Sequence, residues 1–249
     1  MVAGGGAIRG AWTGSVEVIV GRGLLARAFA PRFEHEPGIV VFASGVSNSA
    51  ETDPAAFHRE QGLLEQASAA ATRRLVYFSS CGVAAGGEPA TPYMQHKGRM
   101  EALVLACPGG LVLRLPQVVG RTENPHTLTN FLYRHIMAGA VFEIWSNAER
   151  NLIDVDDIVA IGSAMIDAKD VEGRVQSIAA RESTPMPDLV GIFERTLGRK
   201  ANCTLRPRGA PLRICSGEAQ RLAGVLGLDL GAGYAERIIG KYYGRHAAT

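Results

Sequence analysis

The segment formed by residues 74–101 restricts the fold more than any other part of the chain. Its sequence, RLVYFSSCGVAAGGEPATPYMQHKGRME, predicts a buried strand over residues 75–78 that ends in small polar residues. A loop rich in glycine and proline follows, and then a helix begins. Because buried strands that alternate with helices are typical of α/β proteins, this segment predicts an α/β fold.

Two side chains of the predicted helix, Tyr93 and Lys97, indicate acid–base chemistry. Their spacing in the sequence places them on one face of a helix, one turn apart. An ammonium group next to a phenol favours the phenolate and lowers the pKa of the phenol. Such a phenol can pass a proton to or from a substrate oxygen near neutral pH. A hydroxyl group at the end of the preceding strand could hold the same oxygen.

A glycine turn near the N-terminus is a second candidate site. Residues 16–26, VEVIVGRGLLA, predict a strand over residues 16–20, a turn at Gly21 and Gly23, and a helix to about residue 33. In the pattern G-x-G-x-x-A, Gly21 allows a tight turn, Gly23 lets a pyrophosphate approach the helix N-terminus, and Ala26 permits close packing. The alternative is an ordinary strand–helix turn that happens to be rich in glycine.

The glycine turn, the strand that ends in Ser80 and Cys81, and the Tyr93/Lys97 pair together resemble the extended branch of the short-chain dehydrogenase/reductase superfamily. This branch is the NAD-dependent epimerase/dehydratase family, which acts on nucleotide sugars. The resemblance spans residues 16–244 and implies a Rossmann-like α/β fold with a mostly parallel sheet. It divides the chain into a flexible leader (1–15), a cofactor-binding core (16–125), and a small substrate-binding lobe with returning core elements (126–249).

The chain departs from the family pattern between residues 33 and 39. The next predicted strand, residues 39–43, begins directly after the link EHEPG, and its loop resembles the one after the family's fourth strand. A β-α-β insert needs on the order of 25 residues. The sequence therefore predicts a truncated sheet that lacks the family's second and third strands, and this puts the adenosine half of a cofactor site in doubt.

The resemblance gives the site residues their roles. Tyr93 is the general acid/base, and Lys97 lowers its pKa and holds the nicotinamide ribose. Counting back from Gly86 puts the family's catalytic hydroxyl on Cys81, whereas the stronger hydrogen-bond donor is Ser80. Strand alternation allows only one of the two to face the site. We predict Cys81 from its position; the alternative is that Cys81 is a small apolar filler.

The resemblance also implies a set of cofactor-binding residues. Arg22 could meet a 2′-phosphate, which slightly favours NADP over NAD, although Arg22 could equally be an exposed loop charge. Gln117 takes the place of a family asparagine that faces both cofactor and substrate. The implied cofactor-binding residues are Gly21, Arg22, Gly23, Leu24, Leu25, Ala43, Ser44, Tyr93, Lys97, Pro116 and Gln117.

Gln117, Asn130 and Arg150 are the candidate substrate-binding residues. Arg150 lies in FEIWSNAERNLIDVDDIVAI, which is similar to the family segment whose arginine clamps the nucleotide diphosphate, and a guanidinium suits phosphate. Asn130 is a candidate polar contact, or alternatively a helix cap. Asp156 or Asp157 is predicted to cap the helix that follows.

These residues imply an NAD(P)-dependent oxidoreductase that acts on a nucleotide-activated sugar, in first place a keto-sugar reductase of carbohydrate biosynthesis. The shortened adenosine site favours a cofactor that exchanges, as a reductase requires. Gly82 and Val83 follow the candidate hydroxyl where the family's 4,6-dehydratases have acidic residues, which argues against dehydration. An epimerase is the alternative. A non-catalytic sensor or scaffold that binds a dinucleotide or nucleotide sugar is the alternative from another class.

Composition restricts the partners. A chain of 249 residues that is 47% hydrophobic and 20% charged suits a globular protein with a sizeable core. The net charge of +2 gives no electrostatic case for nucleic acid, and no apolar run reaches the roughly 20 residues of a membrane span. The four cysteines show no metal-type pairing, so we expect reduced thiols and a cytoplasmic protein. A homodimer is a further expectation.

Overall fold

The structure is a computed structural model that describes residues 18–84, 90–168 and 174–244. Several sequence predictions lie outside the described residues. They are the leader over residues 1–15, the first two positions of the first strand at residues 16–17, and Gly86, from which the position of the catalytic hydroxyl was counted.

The described elements alternate between strands and helices in the first half of the chain. In chain order they are β1 (Ile19–Val20), α1 (Leu24–Phe33), β2 (Ile39–Phe42), α2 (Pro54–Ser68), β3 (Arg74–Ser80), α3 (Pro92–Ala106), β4 (Gly110–Leu115), β5 (Gln117–Val119), α4 (Leu128–Ala138), β6 (Phe142–Trp145), β7 (Glu149–Arg150), β8 (Leu152–Asp154), α5 (Val155–Asp167), β9 (Val175–Ser177), β10 (Thr184–Pro185), α6 (Met186–Leu197), β11 (Cys203–Arg206), α7 (Gly217–Val225) and α8 (Tyr234–Tyr243).

The main sheet is parallel and has the strand order β1-β2-β3-β4-β9. Its central strands are nearly continuous apolar runs because helices cover both faces. Side chains of α1 and α5 pack on one face, around Phe29 and Phe78. Side chains of α2 and α3 pack on the other face, around Leu64 and Met100. The predicted Rossmann-like α/β fold is therefore confirmed.

The predicted gap in the sheet is also confirmed. Helix α1 ends at Phe33 and β2 begins at Ile39, and the residues between them form a turn without any strand. Strand β1 pairs only with β2 among the described residues, so it forms one edge of the main sheet. The family's second and third strands would occupy that edge.

The second half of the chain forms three two-stranded pairs, β5 with β8, β7 with β10, and β6 with β11. These pairs pack with α4, α6 and α8, while β9 returns to the main sheet beside β4. None of the helices in the described ranges is long and apolar enough to cross a membrane.

One predicted helix cap is wrong. The N-terminal cap of α5 is Asp154, whose side chain accepts a hydrogen bond from the amide of Asp156 at 3.0 Å. Asp156 and Asp157 lie in the first turn of the helix instead. Helix α5 begins directly after β8, so the cap position falls on the last residue of that strand.

Candidate functional site

A cavity of about 600 Å³ opens where the parallel strands β2, β3 and β4 end. This is the place where doubly wound α/β sheets bind their ligands. Most of the predicted cofactor-binding residues line it, namely Arg22, Gly23, Leu24, Leu25, Ala43, Ser44, Tyr93, Lys97, Pro116 and Gln117. Gly21 does not line the cavity itself but packs directly against Ala43, which does.

Only glycine fits the first position of that turn. The backbone at Gly21 has φ +129°, and a Cβ atom built there would lie 2.5 Å from the carbonyl oxygen of Ala43. Helix α1 then begins with Gly23 at its N-terminal cap position, and no side chain in the described part of the chain caps it. The first amides of α1 are therefore available at the cavity, which fits the pyrophosphate of a dinucleotide.

Ser80 and Tyr93 meet at the opposite side of the cavity. Ser80 is the last residue of β3, and its hydroxyl lowers the pKa of Tyr93 against the larger effect of burial. The amide of Gly82 donates to Ser80 Oγ at 3.2 Å and fixes that hydroxyl group. Both side chains line the cavity, so together they can hold a substrate oxygen there.

The structure places Cys81, the predicted partner of Tyr93, outside the residues that line the cavity, which favours Ser80 for this position. A short 3-10 helix begins at Cys81 and turns this residue out of the strand. The Cys81 side chain is buried near Ser177 and is not among the residues that line the cavity. Burial raises the pKa of the Cys81 thiol to about 12, against smaller effects of Ser177 and Arg114. Cys81 is thus a buried, protonated thiol, whereas Ser80 lies at the cavity.

Tyr93 and Lys97 share a face of α3, as predicted, but Lys97 does not lower the pKa of Tyr93. Burial, together with the negative charge of Glu60, raises the pKa of Tyr93 to about 12, and Ser80 only partly opposes this. The Lys97 ammonium lies 5.7 Å from the centre of the Tyr93 ring. Tyr93 is therefore a phenol at neutral pH, suited to donate a proton.

Lys97 binds Glu60, a residue that the sequence analysis missed. Lys97 Nζ donates to Glu60 Oε1 at 3.0 Å and to the hydroxyl of Tyr77 at 2.9 Å. Burial lowers the pKa of Lys97, and the Glu60 charge opposes this. The available signal was the position of Glu60 on the apolar face of α2, where Phe57 and Leu64 are also buried.

The three candidate substrate residues lie in different surroundings. Gln117 lines the cavity beside β5. Asn130 does not line it, because its amide group donates to the carbonyl oxygens of Thr122 and Asn124, both at 2.8 Å. Asn130 therefore shapes the loop before α4. The N-terminal cap of α4 is Thr127, so Asn130 is not a helix cap either.

Arg150 is partly buried in β7 and also lies outside the residues that line the cavity. Its guanidinium donates to the carbonyl oxygen of Glu149 at 2.8 Å, and no carboxylate among the described residues pairs with it. Burial lowers the pKa of Arg150. The predicted role of Arg150 at a substrate diphosphate stays a prediction.

Arg114, in contrast, is paired with a buried carboxylate. Its guanidinium makes two hydrogen bonds to the Glu101 carboxylate, at 2.9 and 2.6 Å. Ser79 donates to the same carboxylate at 2.6 Å. This buried group joins α3 to β3 and β4 on the side of the sheet away from Ser80.

Comparison with known proteins agrees with this geometry. A family model described as the NAD dependent epimerase/dehydratase family matches residues 24–179. That range includes the start of α1, Ser80, Tyr93, Lys97 and Arg150. No curated protein matches the chain.

Solved structures with a similar fold include two epimerases. The UDP-glucose 4-epimerase of Thermus thermophilus in complex with NAD has a TM-score of 0.64 and 16% identity, over 90% of this chain and 82% of that one. The UDP-glucuronic acid 4-epimerase of Bacillus cereus, in complex with UDP-glucuronic acid and NAD, has a TM-score of 0.64 and 16% identity, over 82% and 74% of the two chains. MoeE5, in complex with UDP-glucuronic acid and NAD, has a TM-score of 0.57 and 22% identity, over 75% and 68%. At these identities the likeness shows the fold.

Proposed function

The chain belongs to the NAD dependent epimerase/dehydratase family, and we propose that it reduces the keto group of a nucleotide-activated sugar. The observation that carries this proposal is the placement of the Ser80 and Tyr93 side chains together at the cavity. The pair offers two hydroxyl groups to one substrate oxygen. Tyr93 is held as a phenol, which is the form that a reduction requires of a general acid.

The residues around the cavity fit a nicotinamide dinucleotide. Gly21 and the uncapped start of α1 would hold its pyrophosphate. Lys97, whose ammonium lies at the other end of the cavity, would hold the ribose next to the nicotinamide. When bound in its reduced form, the cofactor would supply a hydride to the substrate carbon.

The side chains of this chain then have two tasks. Ser80 orients the keto oxygen by a hydrogen bond, and Tyr93 donates its phenolic proton to that oxygen as the alcohol forms. Because burial and Glu60 keep the pKa of Tyr93 at about 12, the phenol is fully protonated before each turnover. The same pKa leaves very little phenolate at neutral pH, and the phenolate is the base that an oxidation of the sugar would need.

The cofactor is proposed to be NAD. The similar solved structures hold NAD, whereas the case for NADP depends only on Arg22, an exposed side chain at the glycine turn. Because β1 is the edge of the main sheet in the described chain, no further strand lies beside it where the adenosine half of the cofactor is expected. This supports a cofactor that leaves after each turnover, as a reductase needs.

The substrate is proposed to carry a nucleoside diphosphate. Arg150 has no anionic partner among the described side chains, although it is partly buried. A guanidinium in this state is a good ligand for phosphate oxygens. The bound sugar nucleotides of MoeE5 and the Bacillus cereus epimerase are consistent with this class of substrate.

A second candidate function is epimerisation of a nucleotide sugar. The solved structures of similar fold include epimerases, and an epimerase would use the same Ser80, Tyr93 and Lys97. An epimerase must keep its cofactor bound through oxidation and re-reduction, so the open adenosine side disfavours it.

One experiment separates these functions. The purified protein is incubated with NADH or NADPH and a panel of UDP- and dTDP-linked keto sugars, and absorbance at 340 nm is followed. In parallel it is incubated with UDP-glucose or UDP-glucuronic acid and catalytic NAD, and the sugars are analysed by chromatography. We expect stoichiometric NADH oxidation in the first assay and no isomer in the second. Binding without turnover in both assays would favour the sensor or scaffold. Light scattering of the same sample tests the expected homodimer.

A further inference from the structure

Glu60 has more hydrogen-bond partners than any other described carboxylate near the cavity. Its Oε1 atom accepts from Tyr77 at 2.7 Å and from Lys97 at 3.0 Å. Its Oε2 atom accepts from the amide of Val46 at 2.7 Å and lies 3.0 Å from Nε2 of His96. The side chain is 1% exposed. All four hydrogen-bonding positions of the carboxylate are therefore occupied inside the protein.

These contacts join four separate elements. Glu60 lies in α2, Tyr77 in β3, and His96 and Lys97 in α3, while Val46 belongs to the loop after β2. That loop lines the cavity from Ala43 to Val46. One carboxylate thus connects the cavity loop to the lysine that is placed to bind the cofactor.

The ammonium group of Lys97 has three N–H donors. Two of them are used by Glu60 and Tyr77, and no described residue accepts the third. Because Lys97 lines the cavity, the third donor is available to a ligand there. The cavity loop packs closely on this pair at Gly45, where an added Cβ atom would lie 2.8 Å from Lys97 Nζ and 3.0 Å from Glu60 Oε1.

We propose that Glu60 is a positioning residue for cofactor binding, which fixes both the Lys97 ammonium and the cavity loop at Val46. This inference depends on the proposed function, because it takes the ligand of Lys97 to be the ribose of a nicotinamide cofactor. Glu60 itself touches no ligand. Glu60 and Tyr77 each accept one N–H group of Lys97. The third N–H group of the ammonium then points to the cavity.

The test is NADH binding to the intact protein without substrate, followed by fluorescence. We expect Glu60→Gln to raise the Kd of NADH about tenfold, the equivalent of one hydrogen bond to a charged group. In hydrogen exchange of the apo protein, the peptide that contains Val46 should exchange faster than in wild type. The matched control is Glu101→Gln, which removes another buried carboxylate of the same sheet face, paired with Arg114. It should leave the Kd of NADH unchanged.

Glu60→Asp keeps the charge balance of the buried cluster and provides a second variant if Glu60→Gln does not fold. Its shorter side chain cannot reach both Val46 and Lys97, so we expect a Kd about threefold above wild type, a fraction of one hydrogen bond. A Kd equal to that of wild type in the folded variants overturns the inference alone. A wild type that binds NADH but reduces no keto sugar overturns the proposed function and leaves the inference standing. A wild type that binds no NADH overturns both.

Discussion

Ser80, at the end of β3, and Tyr93, near the start of α3, both line the cavity, and the Ser80 hydroxyl lowers the pKa of Tyr93 against burial. Because Ser80 also accepts from the amide of Gly82 at 3.2 Å, its hydroxyl is fixed before any substrate enters. A fixed donor stabilises charge on a reacting oxygen without reorganisation cost.

The first prediction follows from the place of the Ser80 hydroxyl at the cavity. Ser80→Ala removes a positioned donor and should lower kcat by on the order of 100-fold. Cys81→Ala should change kcat only a few-fold, because Cys81 is buried and does not line the cavity. The measurement is steady-state NADH oxidation with both variants. An active Ser80→Ala beside an inactive Cys81→Ala would reverse the assignment.

The sequence predicted Cys81 as the partner of Tyr93, whereas the structure has Ser80 at the cavity. This difference marks a limit of prediction from the sequence. Counting back from Gly86 assumed a loop of fixed length, and residues 85–89 lie outside the described part. Strand β3 and helix α3 were predictable because their apolar runs are local patterns. The gap between Phe33 and Ile39 was predictable from length alone.

The pair of Glu60 and Lys97 was not predictable in the same way. The two residues are 37 positions apart and meet only because α2 and α3 pack on the same face of the sheet. Spacing along one helix placed Lys97 next to Tyr93 but could not show that another helix supplies a stronger partner. The expected lowering of the Tyr93 pKa is wrong because burial, and after it the Glu60 charge, raises this pKa.

The second prediction concerns Arg150. Arg150→Ala should raise the KM of the sugar nucleotide strongly and leave the Kd of NADH unchanged, because its guanidinium is proposed to bind the substrate diphosphate. Arg150→Lys keeps a positive charge and should fall between wild type and Arg150→Ala. Kinetics at varied substrate and fluorescence titration of NADH measure the two constants. An equal rise in both would show that Arg150 serves the cofactor.

The third prediction concerns stability at acid pH. Burial lowers the pKa of His96 below its ordinary value of 6.5. The unfolded chain therefore binds the proton more readily, so stability is fully present above pH 6.5 and is lost as pH falls towards the folded-state pKa. The loss should reach at most about 1.4 kcal/mol per pH unit.

Urea denaturation at pH 7.5, 6.5 and 5.5 measures this dependence. His96→Gln keeps a donor for Glu60 but does not titrate, so its free energy of unfolding should fall less over this range. His58→Gln changes an exposed histidine and should behave as wild type. Glu60, whose pKa is lowered from 4.5 by its hydrogen-bond partners against burial, stays ionised throughout. An identical pH dependence for His96→Gln and wild type would remove His96 as the cause.

The fourth prediction concerns the open edge of the sheet. Because β1 has no outer neighbour among the described strands, the adenosine half of the cofactor should contribute little to binding. Reduced nicotinamide mononucleotide should then bind within about tenfold of NADH. Fluorescence titration of both compounds measures this ratio, with AMP as a competitor expected to be weak. A difference of about a thousandfold would mean that the adenosine half is recognised strongly.

The most direct test of the central claim is single-turnover oxidation of bound NADH by a nucleotide keto sugar, in wild type and in Tyr93→Phe. The account predicts that the variant binds NADH as tightly as wild type and oxidises it on the order of 100-fold or more slowly, because no acid protonates the keto oxygen. A Tyr93→Phe variant that oxidises NADH at the wild-type rate would contradict the account.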